Sequence, residues 1–103
     1  MRYQVKISKG FWESAKKLKQ KYTNEEFSDI IEEIRESIIL LANDGRLPEE
    51  YQDHILRRSP YLNHHEYHLY DDDVLVIYVR NENHLYLRFV EVTDHATLNK
   101  NSN

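Results

Sequence analysis

The stretch Val74-Leu-Val-Ile-Tyr-Val-Arg80 constrains this chain more than any other. It is apolar almost throughout. Asp71-Asp72-Asp73 precedes it and Asn81-Glu82-Asn83 follows it, and both are turn-forming triplets. A short apolar run closed by turns reads as a central strand covered on both faces. Such a strand needs neighbours. Glu66–Tyr70 alternates polar and apolar residues before it, and His84–Val92 does so after it. Tyr3, Val5 and Ile7 alternate at the start of the chain and predict a further half-buried strand.

Between the first strand and the others the period changes to that of a helix. Ser8 is placed to cap a helix whose buried side is Phe11, Ala15, Leu18 and Tyr22. Thr23 and Glu26 have the spacing of a capping box. Phe27, Ile30, Ile31, Ile34, Ile38 and Leu41 then form an apolar stripe that ends at Asn43-Asp44-Gly45, with Gly45 as a left-handed cap. The short link between the helices suggests an antiparallel pair. Residues 45–65 carry Pro48 and Pro60 and no clear period, so they predict mostly loop with a short extended piece at His54–Leu56. The order is β-α-α-β-β-β, an α+β arrangement with a two-helix layer on one face of a sheet.

Several classes are excluded or weakened. With 103 residues there is room for one domain. The absence of cysteine removes disulfides and thiolate metal sites and suits a cytoplasmic location. No apolar run nears the ~18 residues of a membrane span, and the charged, alternating N-terminus does not read as a signal peptide. Two glycines, Gly10 and Gly45, build no phosphate-cradling loop. The net charge of −4 disfavours general nucleic-acid binding. The charge is uneven, however: residues 1–21 hold seven Lys/Arg against one Glu, and residues 22–53 hold two Arg against ten Asp/Glu. A local basic surface remains.

If the helices cover one sheet face, the other is free for function. Alternation turns Leu85, Leu87, Phe89, Tyr67 and Leu69 inward. His84, Tyr86, Arg88, Glu66, His68 and Tyr70 then point away, and His95 and Asp72 follow the two strands. The run "HHEYH" (64–68) invites a metal reading, but only His64 and His68 share a face there and no cysteine completes a set. No cofactor is expected.

Three stretches now carry a resemblance: "LPEEYQDH" (47–54), "HLYDDDVLVIY" (68–78) and "LYLRFVEVTDHATL" (85–98). In sequence and order they resemble the YafQ branch of the RelE/ParE toxins of bacterial toxin–antitoxin pairs. The resemblance implies a RelE-like microbial RNase-type fold, with an antiparallel-rich sheet in a single toxin domain over residues 1–98 and a frayed tail over 99–103. It implies a ribosome-dependent, metal-independent mRNA endonuclease. It also implies a DinJ-like antitoxin as partner, in a hetero-oligomer, with the free toxin monomeric. Position by position, it places functional residues at His54, His68, Asp72 and His95, with Arg88 as a basic contact. Three positions depart from the family pattern: Asp73 and Asn99 stand where it has aromatic residues, and Glu91 where it has arginine. Arg88, Arg57 and Arg58 are then the candidates for phosphate contact, and Tyr70 or Tyr86 for base stacking.

These residue types suit RNA cleavage. A 2′-OH attacks the adjacent phosphate, one group takes its proton and another protonates the leaving 5′-oxygen. Histidine, ordinarily near pKa ~6.5, can do either. His95 and His68 form the expected acid–base pair, His54 and Asp72 assist, and Arg88 holds phosphate. Each has a structural counterpart: His95 as a turn residue, Arg88 paired with Glu66 across the sheet, and Asp71–Asp73 as a solvated turn. Two other functions compete. A ParE-like poison binds its target without cleaving RNA, and "TDHATL" speaks against it. An attenuated toxin only binds its antitoxin, which Glu91, Asn99 and the net charge of −4 favour.

Overall fold

The computed structural model describes residues 2–97. Asn99 and the expected tail over 99–103 lie outside the described residues. The strands are β1 (Gln4–Ile7), β2 (His54–Ile55), β3 (His65–Leu69), β4 (Val74–Asn81) and β5 (Tyr86–Thr93). The helices are α1 (Phe11–Lys16) and α2 (Asn24–Asp44). One five-stranded sheet runs in the order β1-β5-β4-β3-β2, with β1 parallel to β5 and all other pairs antiparallel. The expected α+β class holds, and the extended piece expected at His54–Leu56 adds a short fifth strand, β2, to the expected β-α-α-β-β-β order. The apolar run Val74–Val79 lies between two partners in the middle of the sheet, as its composition requires.

Both helices cover one sheet face. Phe11, Ala15 and Leu18 from the first helical segment and Ile30, Ile34 and Leu41 from α2 close over Tyr67, Val74, Val76, Tyr78, Leu87, Phe89 and Val92. The capping box of α2 is present: Thr23 Oγ1 accepts from the Glu26 amide at 3.1 Å, and Glu26 Oε1 accepts from the Thr23 amide at 2.9 Å. Gly45 ends α2 at φ 74°, and its amide reaches the Leu41 carbonyl.

Five local expectations change. Ser8 does not cap α1 with its side chain; its carbonyl accepts from the Phe11 amide and Gly10 holds the cap position. The helix expected to run through Tyr22 tightens to a 3-10 turn over Lys17–Gln20, where the Lys21 and Tyr22 amides both return to the Leu18 carbonyl. Ile7 is 41 % exposed, because β1 is an edge strand with one neighbour. Leu85 is not an inward strand residue: it sits at φ 52° and is 43 % exposed, and β5 starts only at Tyr86. Tyr70 leaves the alternation of β3 at φ 50°. Its ring stands edge-on to Tyr22 and its hydroxyl donates to Glu26, on the helical side. It therefore offers no stacking surface on the open face.

The last strand also carries an irregularity that alternation does not predict. Ile77 pairs with Glu91 and Tyr78 with Phe89, so Val90 bulges out between them. A bulge adds one residue and reverses the faces beyond it. Leu87 and Phe89 face the helices before it and Val92 does so after it. Glu91, which strict alternation would bury with them, stands beside Ile77 on the open face instead.

Candidate active site

The open face is organised in cross-strand rows. His54, Glu66, Ile77 and Glu91 form one row from β2 to β5. His68, Leu75 and Thr93 form the next. Leu75 and Ile77 are fully buried, so the polar side chains around them stand over an apolar floor.

Glu66 occupies the centre of this arrangement. Its Oε1 lies 3.4 Å from His54 Nε2 and 3.3 Å from His68 Nε2, and its side chain is only 4 % exposed. The His54 and His68 rings meet edge-on at 5.9 Å between centroids, and His68 and His95 do so at 5.2 Å. Asp72 Oδ1 lies 3.8 Å from His68 Nδ1. The structure therefore brings together His54, His68, Asp72 and His95, four residues spread over 42 positions of chain. Glu66 is the member that sequence reasoning missed. Alternation already placed it on the open face, but only as an alternative structural partner for Arg88. The register sets Glu66 opposite Ile77 and Arg88 opposite Val79, and among the described residues Arg88 makes no ion pair.

Each side chain is held by its own element. β2 brings His54 beside Glu66, and Asp53 anchors that edge by accepting from the buried Tyr78 hydroxyl at 2.7 Å. Burial first, and then the charge of Asp53, push the Tyr78 phenol well above its ordinary range. His54 Nδ1 lies 2.7 Å from the Gln52 carbonyl, which can only accept, so that nitrogen carries the hydrogen. The β3–β4 connection places Tyr70, Asp71 and Asp72 at φ 50°, 56° and 67° in succession, a left-handed run in which aspartate is tolerated. It is only partly a solvated turn: Asp73 accepts from the Tyr22 hydroxyl and pairs with Lys21 at 3.5 Å.

His95 depends on Asp94. Asp94 Oδ1 accepts from the Thr97 amide at 2.7 Å and closes the turn that presents the exposed His95 ring. Lys21 approaches Asp94 at 3.8 Å while holding Asp73. Burial alone would raise the Asp94 carboxyl; the Thr97 hydrogen bonds and Lys21 outweigh it and hold the group below its ordinary value. The end of the first helical segment therefore tethers both the Asp72 turn and the His95 turn. Beneath it lies a cleft of about 460 Å³ lined by Lys17, Lys21, Glu91, Thr93 and Asp94.

The cations are distributed around this centre. Arg88 is exposed on the open face, with Lys6 of β1 beside it in register. Lys6 Nζ stands 4.6 Å from the centroid of the Tyr86 ring. Lys6 was not anticipated, although the alternation of the first strand puts it on this face. Arg57 and Arg58 are exposed in the loop after β2. Tyr61 comes from the same loop and reaches Glu91; its phenol is pushed up to about 12, first by burial and then by hydrogen bonding to that carboxylate.

Among the described residues no helix is long and apolar enough to cross a membrane. Among curated proteins, no significant sequence match to this chain is found. Solved structures do match. The DinJ-YafQ complex of E. coli contains a chain 24% identical to this one, with 93% of this chain and 97% of that one covered, at a TM-score of 0.70. YafQ from E. coli strain BL21(DE3) is 23% identical over 93% and 97%, at 0.71. A metal-bound toxin from Helicobacter pylori is 23% identical over 93% and 98%, at 0.69. At these identities the likeness is one of fold. The family model for the YafQ bacterial toxin of type II toxin-antitoxin systems matches residues 3–100, nearly the whole sequence. The chain therefore belongs to the YafQ family of type II toxin–antitoxin toxins.

Proposed function

We propose that this toxin acts in the cytoplasm as a ribosome-dependent mRNA endonuclease and is held inactive by a DinJ-like antitoxin. The observation that carries the reading is the cluster His54–Glu66–His68–His95, in which, among the described residues, neither nitrogen of the buried His68 ring has a hydrogen-bond partner. Buried polar groups without partners concentrate at sites that act on something else.

The cleavage needs two proton transfers and one cation. The 2′-OH of the nucleotide before the scissile bond attacks the adjacent phosphate as the bond to the 5′-oxygen breaks, its proton passes to one of the pair His68 and His95, and the other protonates the departing 5′-oxygen. The products are a 2′,3′-cyclic phosphate and a free 5′-hydroxyl. Each transfer is typically worth ~10²–10⁴-fold. Glu66 and Asp72 lie at opposite nitrogens of His68 and orient the ring, and His54 completes the wall beside Glu66. Arg88 and Lys6 meet the negative charge of the phosphate, and Tyr86 offers a face for a base. The antitoxin reading is supported by the complex that the E. coli family member forms with DinJ.

Glu91 supports a second reading. It puts a carboxylate on the face where phosphate would dock, which suits an attenuated toxin that only binds its antitoxin. One experiment separates them. Purified toxin, freed of antitoxin, is added to translating ribosomes and mRNA 5′ ends are mapped, with His95→Ala alongside. New ends that need both ribosomes and His95 support the nuclease. No ends from folded wild-type toxin would leave the attenuated or ParE-like reading.

A further inference from the structure

Strand β5 outlasts its neighbour on one side. β1 ends at Ile7, opposite Phe89, and the Ser8 amide closes that pairing by donating to the Phe89 carbonyl at 2.9 Å. The rest of β5, Val90 to Thr93, has β4 along one edge and, among the described residues, no strand along the other. These residues carry the bulge and lead into the turn of His95. A strand end held on one side only can fray or slip, and a slip turns its side chains to the wrong face.

The first helix supplies what β1 does not. Ser14 Oγ accepts from the Val92 amide at 2.8 Å. Its own hydrogen goes to the Phe11 carbonyl at 2.6 Å, one turn back along α1. That bond fixes the hydroxyl and leaves a lone pair for β5. Phe11 and Ala15, on either side of Ser14, are fully buried against the sheet, so the backbone that carries the hydroxyl has little freedom to move.

We infer that Ser14 is a positioning residue for the cleavage: by holding the Val92 amide it fixes β5 beyond the bulge, and with it the place of His95 against His68. The inference rests on the nuclease reading. The route from Ser14 to the reacting pair is short. Val92 packs toward the helices, and Thr93 after it stands in the open-face row of Leu75 and His68. Asp94 and His95 follow directly, and the His95 ring meets the His68 ring at 5.2 Å. Lys21 holds this turn at Asp94 through an exposed ion pair, whereas Ser14 holds the strand before it through a part-buried hydrogen bond. Ser14 belongs to the helical layer and acts through β5, not on the RNA.

The full chain, free of antitoxin, is compared as wild type, Ser14→Ala, Ser14→Thr and Ser28→Ala, the last an exposed serine of α2 that serves as control. Ser14→Ala should speed hydrogen exchange of the Val92 amide by ~2–10-fold, as for one lost hydrogen bond. The nuclear Overhauser contact between the His68 and His95 rings should weaken. Ribosome-dependent cleavage at saturating toxin should slow by ~10–100-fold, with the half-saturating concentration unchanged. Ser14→Thr, which keeps the hydroxyl, should restore all three, and Ser28→Ala should alter none. If Ser14→Ala fails to fold, Ser14→Cys replaces it, since sulfur fills the space and accepts only weakly. Unchanged Val92 exchange overturns the inference. Faster exchange with the ring contact and the rate intact also overturns it, and leaves Ser14 a purely structural residue. If wild-type toxin never cleaves, the nuclease reading fails, while the ring contact still decides whether Ser14 places His95.

Discussion

Glu66 Oε1 stands 3.3 Å from His68 Nε2, while Glu66 Oε2 has no hydrogen-bond partner among the described residues. A buried carboxylate placed this way serves a site at the expense of the fold. Glu66→Gln keeps the shape and removes the charge. Its ribosome-dependent cleavage should fall by ~10²–10⁴-fold. Its melting temperature should stay equal to that of the wild type or rise. A variant that loses stability and keeps its cleavage rate would make Glu66 a structural residue.

Lys21 links two turns of the site, at 3.5 Å to Asp73 and 3.8 Å to Asp94. Its side chain is 46 % exposed, so the pairs add at most about 1 kcal/mol to stability. Their effect should appear in catalysis, because the Asp94 turn carries His95. Lys21→Ala should lower the single-turnover cleavage rate, by up to ~10²-fold for a misplacement near 1 Å. Lys21→Arg should restore most of it. A salt dependence of ribosome binding that drops by about one unit in Lys21→Ala would instead make Lys21 a phosphate contact.

Asp94 sets an acid limit for the His95 turn. Its pKa is lowered in the folded chain by Thr97 and Lys21, against the opposing effect of burial. The folded state therefore binds this proton less readily than the unfolded state. The stabilisation is complete above the ordinary carboxylate value, ~3.9, and is lost as the pH falls through the lowered value. Urea midpoints measured from neutral pH to pH 2 should show wild type and Asp94→Asn furthest apart near neutrality and converging in acid. A constant gap would remove Asp94 from the acid response.

Gly45 has two reasons to be glycine. Its φ is 74°, and a Cβ there would come 2.8 Å from the ring of Tyr3. Tyr3 is buried, and its hydroxyl donates to Glu82 at 2.9 Å, so it is poorly placed to yield. Gly45→Ala should cost about 2–3 kcal/mol in denaturant unfolding, more than the left-handed conformation alone. A change below about 1 kcal/mol would show that Tyr3 repacks freely.

The local devices were legible because they depend on near neighbours. The Thr23–Glu26 capping box, the Gly45 cap, the α2 stripe and the central strand at Val74–Val79 all follow from spacing within a few residues. The site was half legible. His68 and Glu66 lie on one side of one strand, so alternation placed both on the open face. Their meeting with His54 could not be read, because β2 is only two residues long and its register against β3 is set by the loop around it. Glu91 was recognised as a departure from the family pattern, but its position depended on a bulge at Val90. Tyr70 was misplaced because a left-handed backbone ended the alternation one residue early.

By itself, the sequence determined the main elements, their order and, up to the bulge at Val90, the face most strand residues turn to the helices, because these follow from periods of 2 and 3.6 and from which residues leave water. The tertiary structure alone decided that His54, Glu66, His68 and His95 form one cluster, that Lys21 tethers the turns beside it, and that Glu91 faces outward. Those outcomes rest on strand register, on one extra residue in β5 and on contacts between segments far apart in the chain. No local pattern encodes them, since a shift of one residue in any pairing turns the same side chains to the opposite face.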